Sequence, residues 1–294
     1  MSEKFDREAW HHDYPMDYFK AMGLILSCKN DAERNEVFKT IFQVTRLHIP
    51  DTLFKYYSLT EDTTKNAQKI QTLREQQVFN GLCKDMNDPF DGKAYFYRHE
   101  QIKKYIRNPA ELDKPIDFSS FGRISCFTEV GVNSMPMWAH YAANHAGYAV
   151  AYDMRDPRNL ALSSSMFPVQ YTEKRIDVTS LIESQFQKAM ASLEHTMRRG
   201  VKVTMLDDLS LVFMACLFGF IKHVSWSYEK EFRNSVGKDM IKTDAIPKAI
   251  YIGAECSDQN SRELIQVARE INVPIYRMSM DDYSPNYQLT PIRI

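Results

Sequence analysis

The sequence predicts an α+β protein, with a mixed, mostly antiparallel sheet core packed with helices and an N-terminal helical extension. Three observations predict this class. The first 50 residues carry apolar side chains at helical spacing, short apolar strands and helices alternate irregularly afterwards, and no Gly/Ser-rich or Pro-rich linker divides the chain. We therefore expect an extension over residues 1–50 and a single α+β domain over residues 51–294.

The extension is predicted to be a helical hairpin, with helices over 15–28 and 31–49 and an end at Pro50. Downstream strands are expected where β-branched and aromatic residues cluster: 51–60, 122–130, 148–154, 168–172, 229–236, 249–256 and 273–280. Downstream helices are expected at 66–79, 95–107, 136–147, 177–200, 206–224 and 257–272. The helix over 206–224 is apolar almost all round, which is typical of a buried central helix.

Composition excludes several classes of protein. The net charge of -1 does not imply binding to nucleic acid or to an acidic membrane surface. The five cysteines are scattered and form no CxxC, so reduced thiols are expected, without a zinc site. The N-terminus lacks an apolar signal core, and no run of about 18 apolar residues suggests a membrane span. These features predict a cytoplasmic protein.

The stretch "WSYEKEFRNSV", residues 226–236, combines two acids with an arginine. If the whole stretch is a strand, Glu229, Glu231 and Arg233 lie on one side of it. Two neighbouring carboxylates repel each other, and the nearby guanidinium offsets that repulsion. The stretch therefore predicts either one wall of a cleft or a strand face with its charges in water.

The stretch "MWAHYAANHAGY" supplies a second set of candidates. On a continuous helix Trp138, Tyr141 and His145 share one face, and His140 lies on another. The functional interpretation is a pocket wall on which Trp138 stacks and His140 or Tyr141 forms hydrogen bonds; the alternative is a packed core helix. Because the two histidines are five residues apart, we expect no metal site.

Further candidates lie on other predicted segments. The turn "NDPFD" has short polar side chains that can fix its own backbone, although Asn87 or Asp91 could still point into a site. The remaining candidates for ligand binding come from two predicted strands: Lys55, Tyr56, Phe127 and Thr128. The chain contains no GxGxxG, Walker A, HExxH or GxSxG motif, so it offers no standard phosphate-binding, zinc-protease or serine-hydrolase signature.

The pieces "NDPFD", "ISCFTE", "MWAHYAANHAGYAVAYD" and "WSYEKEFR" together resemble bacterial domain-of-unknown-function family 2971. Their order and approximate spacing are similar from about Lys55 to the strand at 248–254, and the MWxHY and WxYExExR pieces are the most specific. The first 50 residues lie outside the resemblance. The family supplies no established reaction.

A second likeness is to ADP-ribosyltransferases of the Arg-Ser-Glu type. They carry a basic residue on a first strand, a Ser-Thr-Ser strand, and a late strand with Glu-x-Glu; here Lys55, "SCFTE" and Glu229-x-Glu231 occur in that order. The likeness implies an enzyme that consumes NAD as a substrate. Glu231 would stabilise the oxocarbenium-like sugar, Glu229 would orient or deprotonate the acceptor, and Tyr56, Phe127 or Trp138 would stack on nicotinamide. Lysine replaces the expected Arg or His, and Cys-Phe-Thr replaces Ser-Thr-Ser.

Two alternatives stay open at this point. One is a metal-dependent hydrolase or nuclease that uses His140, Glu229 and Glu231, which the near-neutral charge disfavours. The other is a non-catalytic ligand-sensing module in bacterial stress or phage defence. All three interpretations imply a small-molecule or substrate pocket, and none identifies a protein partner or acceptor.

Overall fold

The computed structural model describes residues 49–105, 122–180, 219–280 and 283–294, with a few single positions between 32 and 36 and between 182 and 190. Most of the predicted extension 1–50, and most of the predicted helices at 177–200 and 206–224, lie outside the described residues. Within these, helices pack on a mixed, mostly antiparallel sheet, so the predicted α+β class is confirmed. The division into an extension and one domain stays a prediction.

The strands of the structure, in chain order, are β1 Thr52–Tyr57, β2 Gln77–Phe79, β3 Gly81–Leu82, β4 Tyr95–Phe96, β5 Gly122–Thr128, β6 Tyr148–Asp153, β7 Met166–Pro168, β8 Gln170–Thr172, β9 Ile176–Asp177, β10 Ile221–His223, β11 Glu231–Gly237, β12 Lys242–Asp244, β13 Pro247–Ile252, β14 Ile275–Met280 and β15 Leu289–Arg293. The α-helices that have continuous bounds are α1 Thr63–Arg74, α2 His99–Ile102, α3 Met135–Tyr141, α4 Leu160–Ser164 and α5 Asp258–Glu270. Short 3-10 helices occupy Cys83–Asp85, Lys103–Tyr105, Pro157–Asn159 and Val224–Glu229.

Nine of these strands form one sheet in the order β15-β14-β13-β6-β1-β5-β11-β7, with β3 paired to β5 outside this path. The pairs are antiparallel except β13 with β14, which are joined through α5. β1 pairs with β6 along its whole length, but it pairs with β5 only at Phe54 opposite Thr128. Beyond that pair β1 and β5 diverge and leave a gap between them.

Both faces of the central strand β6 are covered, which explains why it is apolar without alternation. On one face α1 and α5 pack through Ile70 and Leu264 into the larger core cluster. On the other face α3 packs through Trp138 into a second cluster with Tyr56. The sheet therefore holds β1 rigidly between two cores.

Several predicted boundaries change. Helix α1 begins at Thr63, three residues before the predicted Asn66, because Asp62 caps it by accepting a hydrogen bond from Lys65 N at 3.0 Å. Asn66 instead bonds the backbone of Thr60. The predicted helix over 95–107 is correct only in part, since its first residues form β4. The predicted helix over 206–224 is wrong at its end, where β10 forms.

Candidate functional site

A pocket of about 630 Å³ opens where β1 and β5 diverge. Residues 54–58 and 124–128 line its strand walls, and α1 contributes a rim. Residues from 79–91, 137–141 and 222–233 line the rest. Its volume lies within the range of roughly 300–1,000 Å³ that is typical of small-molecule sites. The gap exists because a single residue pair holds the two strands together on this side.

The carboxylate of Glu231 is held in the pocket through both of its oxygens. Arg233, on the same side of β11, donates from Nε to Oε1 at 2.8 Å and from Nη2 to Oε2 at 3.1 Å. The backbone N–H of Glu231 donates to the Tyr171 hydroxyl at 2.9 Å. Phe232, between the two, points into the larger core cluster. The predicted strand alternation is therefore confirmed from Glu231 onward.

Glu229 lines the same pocket but belongs to a different element. It ends the 3-10 helix Val224–Glu229, and the next residue, Lys230, has left-handed backbone angles of φ 42° and ψ 56°. The prediction that Glu229 belongs to the strand is wrong, because this turn precedes β11. The turn nevertheless brings both carboxylates into one pocket, where Tyr141 donates to Oε1 of Glu229 and Thr128 donates to its backbone carbonyl.

Lys222, from β10, connects the two acids. Its Nζ lies 2.6 Å from Oε2 of Glu229 and 3.3 Å from Oε2 of Glu231. It also lies 4.6 Å from the centre of the Trp226 ring. On the other side, Nη2 of Arg233 forms an ion pair with Oδ1 of Asp91 at 2.7 Å. Three buried carboxylates thus share two buried cations, a group that we call the acidic network: Asp91, Lys222, Glu229, Glu231 and Arg233.

The two glutamates have opposite protonation tendencies. Burial alone would raise the pKa of Glu231, but the charges of Arg233 and Lys222 outweigh it and hold that pKa at about 2. Burial, followed by the charge of Glu231, raises the pKa of Glu229 above its usual value. Burial also raises the pKa of Asp91. The site therefore pairs a carboxylate that stays ionised with one that binds a proton more readily.

Lys55 lies on the strand wall of the pocket. Its ammonium donates to the Cys126 carbonyl at 3.1 Å and lies over the rings of Tyr57 and Phe127, at 5.6 and 5.3 Å from their centres. Burial lowers the pKa of Lys55, although the Glu231 charge acts the other way. The contact with Cys126 spans the gap between β1 and β5 and helps to set its width.

The predicted helix over 136–147 ends at Tyr141, and Ala143, Asn144 and His145 all have positive φ. The prediction that Trp138 forms part of the pocket wall is wrong. Its ring is fully buried and lies edge-on to the ring of Tyr56. Its Nε1 donates a hydrogen bond to the Val132 carbonyl at 2.7 Å. Trp138 therefore supports Tyr56 and does not line the cavity.

His140 and Tyr141 do line the pocket. Nδ1 of His140 lies 2.9 Å from the hydroxyl of Tyr228, at an exposed position. Burial raises the pKa of Tyr141, and its hydrogen bond to Glu229 raises it further, so it remains a donor. The C-terminal end of α3 thus adds an imidazole at the surface and a hydroxyl donor inside the pocket.

The turn at 86–92 fixes its own backbone, as predicted: Asp88 accepts from Phe90 N at 2.9 Å, and Asp91 N donates to the Asp88 carbonyl. It also delivers Asp91 to Arg233. Among the residues predicted for the site, those lining the pocket are Lys55, Tyr56, Asn87, Phe127, Thr128, His140, Tyr141, Glu229, Glu231 and Arg233.

Lys222 was missed by the sequence analysis, which placed it on an apolar helix. The available signal was a single ammonium within the apolar run before "WSYEKEFR", since a buried lysine needs a counter-charge. Tyr171, which receives the Glu231 N–H, was also missed; it lies within the predicted strand 168–172, and nothing local distinguishes it.

Within the described segments, no group of three or more His, Cys, Asp or Glu has a geometry suited to a metal ion. The same segments contain no helix that is both long and apolar enough to span a lipid bilayer.

Comparison with known proteins gives one family. Residues 137–234 match the model of a family described as "Protein of unknown function (DUF2971)", a region that holds both the MWxHY and the WxYExExR pieces. The resemblance to this family is therefore confirmed. No curated protein and no solved structure matches the chain, so the ADP-ribosyltransferase likeness has no support from these comparisons.

Proposed function

We propose that this protein, which matches the DUF2971 model over residues 137–234, is an NAD-consuming enzyme similar to ADP-ribosyltransferases, with Glu231 as its central catalytic residue. One observation carries the proposal: an ionised carboxylate, Glu231, lines a ligand-sized pocket and is fixed there by Arg233 and Lys222. An anion that is held in place before the reaction stabilises a positive charge as it develops in the transition state.

The proposed reaction breaks the bond between the ribose anomeric carbon and the nicotinamide nitrogen. The bonding electrons leave with nicotinamide, which becomes neutral, and the sugar carbon becomes oxocarbenium-like. The Glu231 carboxylate stabilises this positive charge. A hydroxyl of water or of an acceptor then forms the new bond to the carbon and loses its proton.

Glu229 suits the role of the group that receives this proton. Burial and the Glu231 charge raise its pKa, which makes its carboxylate a stronger base than an ordinary glutamate. Tyr141 and Lys222 hold it by hydrogen bonds, one to each oxygen. Of the rings proposed to stack on nicotinamide, Tyr56 and Phe127 line the pocket and remain candidates.

The test is release of nicotinamide from NAD, measured by chromatography, for the wild type and for Glu231→Gln. We expect the variant to lose about a hundredfold in rate or more, because its amide carries no charge to stabilise the sugar cation. An exposed acid outside the pocket, changed as Glu173→Gln, should leave the rate unaltered. Absence of release in the wild type, or an unchanged rate in Glu231→Gln, would overturn the proposal.

Substitution at Glu231 also disturbs two ion pairs, so folding must be monitored. Thermal unfolding of each variant reports whether the loss of rate exceeds the loss of folded protein. Glu229→Gln provides a second variant, because it removes the proposed base without removing the Glu231 charge. We expect it to slow transfer to an acceptor hydroxyl while NAD binding persists.

A second candidate function is a non-catalytic ligand-sensing module in bacterial stress or phage defence. It is favoured by the ion pairing of all three carboxylates in the acidic network, which also suits a purely structural or recognition role. Tight binding of a nucleotide without any nicotinamide release would favour this candidate over the enzyme.

A further inference from the structure

We propose that the rim of the pocket on α1 is a phosphate-binding subsite, and that the ligand is a nucleotide whose diphosphate lies against Lys65 and Lys69. This inference names the class of ligand that the pocket binds. It rests on the proposed function only for the part of the nucleotide that reacts, the nicotinamide ribose. It concerns α1, an element that contributes no residue to the acidic network.

One face of α1 is directed at the cavity. Lys65, Gln68, Lys69 and Thr72 all line the pocket, and their spacing of three and four residues places them on the same side of the helix. All four side chains can donate hydrogen bonds, and two of them are cationic. This composition suits oxygen acceptors that carry negative charge.

The two lysines are one helical turn apart, where like charges repel. Lys69 donates to the carbonyl and the hydroxyl of Ser58 at 2.6 and 2.9 Å, and both of these acceptors are neutral. Burial, and then the charge of Lys65, lower the pKa of Lys69. The counter-charge of Lys65 is Asp62 at 3.3 Å, in a solvent-exposed pair of the kind that contributes little. A bound phosphate would relieve the repulsion between the two ammonium groups.

Charged side chains of both signs line the pocket, and Asp85 is among the acidic ones. Its rim presents Lys65 and Lys69, whereas the acidic network holds three carboxylates against two cations. Lys55 adds a further ammonium to the strand wall. A ligand with an anionic diphosphate at one end and an electron-poor ring at the other complements this arrangement. Charge complementarity of this kind fixes the orientation of a ligand as well as its affinity.

The experiment is calorimetric binding of ADP, adenosine and inorganic pyrophosphate to the wild type, Lys65→Gln and Lys69→Gln. We expect ADP to bind at least tenfold more tightly than adenosine to the wild type. Each substitution should weaken ADP binding about tenfold and leave adenosine binding nearly unchanged, since a hydrogen bond to a charged group is lost. Weak binding of pyrophosphate would show that the nucleoside contributes to recognition.

Matched variants separate charge from structure. Lys69→Arg keeps a cation at this position, whereas Lys69→Gln removes it. The Arg variant should therefore retain most of its affinity for ADP. Lys174→Gln, an exposed lysine outside the pocket, should bind ADP as the wild type does. Equal affinity of the wild type for ADP and adenosine, or unchanged ADP binding in both Gln variants, would overturn the inference.

The outcome is separable from that of the proposed function. If ADP binding depends on Lys65 and Lys69 but NAD is not cleaved, the subsite stands and the enzymatic proposal fails. If NAD is cleaved with the same KM in both Gln variants, the enzymatic proposal stands and the subsite fails.

Discussion

Arg233 joins two carboxylates that are far apart in sequence. It contacts Glu231 through two hydrogen bonds and Asp91 through an ion pair, and it is completely buried. Its Nη1 also donates to the Gly219 carbonyl at 2.5 Å. Its removal would leave two buried carboxylates without this counter-charge. Arg233 therefore stabilises the fold through the same contacts that hold the site together.

We expect Arg233→Met to lower the free energy of unfolding by about 3–5 kcal/mol, the cost of breaking a buried pair from one side. Urea unfolding measures it. Arg158→Met is a matched control, because Arg158 also contacts a carboxylate, Asp156, but on the surface. It should change stability little. Equal effects of the two substitutions would contradict this view of the network.

At the level of single residues, the sequence predicts which side chains belong to the site better than it predicts which atoms they contact. Glu229, Glu231 and Arg233 could be selected because acids and an arginine occur together in an otherwise aromatic segment. The lone lysine in the apolar run marks Lys222 as a residue that needs a counter-charge, but the sequence does not identify its partners, Glu229 and Glu231. The prediction for Trp138 fails because sequence alone does not tell whether an aromatic ring faces a cavity or the core behind it.

The elements that the sequence predicts well are those with a strong local signal. Strands β1, β5, β6 and β14 agree with their predicted runs to within a few residues, and α5 begins where Ser257 caps it. The prediction of element boundaries fails where the backbone φ and ψ angles depart from those of helices and strands. Lys230, with φ 42°, separates the 3-10 helix from β11. Ala143, Asn144 and His145 end α3 early, and none of these residues is a glycine that would signal the turn.

The turn after α3 depends on close backbone packing at Gly147. A Cβ at this position would lie 2.0 Å from the carbonyl oxygen of Tyr57 and 3.0 Å from that of Ala142. We expect Gly147→Ala to reduce the free energy of unfolding by about 3 kcal/mol, because the backbone of β1 must move to accept the methyl group. Denaturant unfolding tests this expectation.

Gly237 is the control for that substitution, since a Cβ there meets nothing within 4 Å. Gly237→Ala should be tolerated without loss of stability. If Gly147→Ala were equally well tolerated, the backbone of β1 would pack less closely against the turn than the contact distances imply. In that case β1 could not fix the position of Lys55 in the pocket.

Across the whole molecule, the site is assembled from segments that span Lys55 to Arg233. The antiparallel pairing of β5 with β11 sets Glu231 opposite Thr128, while the single pair between β1 and β5 opens the gap that becomes the pocket. The sequence predicts each strand, but pairing and divergence depend on contacts between distant residues. This long-range order is why the class of the fold could be predicted and the shape of the cavity could not.

The acidic network also sets how the whole fold responds to acid. The pKa of Glu231 is about 2 in the folded protein, below its ordinary value of 4.5. Its contribution to stability is therefore fully present above about pH 4.5 and is lost as the pH falls toward 2. For Glu229 and Asp91 the sign is reversed: their pKa values are raised, so they weaken the folded state as the pH rises through those values.

We therefore expect wild-type stability to fall more steeply than that of Glu231→Gln between about pH 4.5 and 2, by on the order of 3 kcal/mol over that range. Urea unfolding at several pH values measures both curves, and Glu173→Gln should follow the wild type. Parallel curves for the wild type and Glu231→Gln would mean that Glu231 is not held ionised by Arg233 and Lys222. The charge that the proposed chemistry requires would then be missing from the pocket.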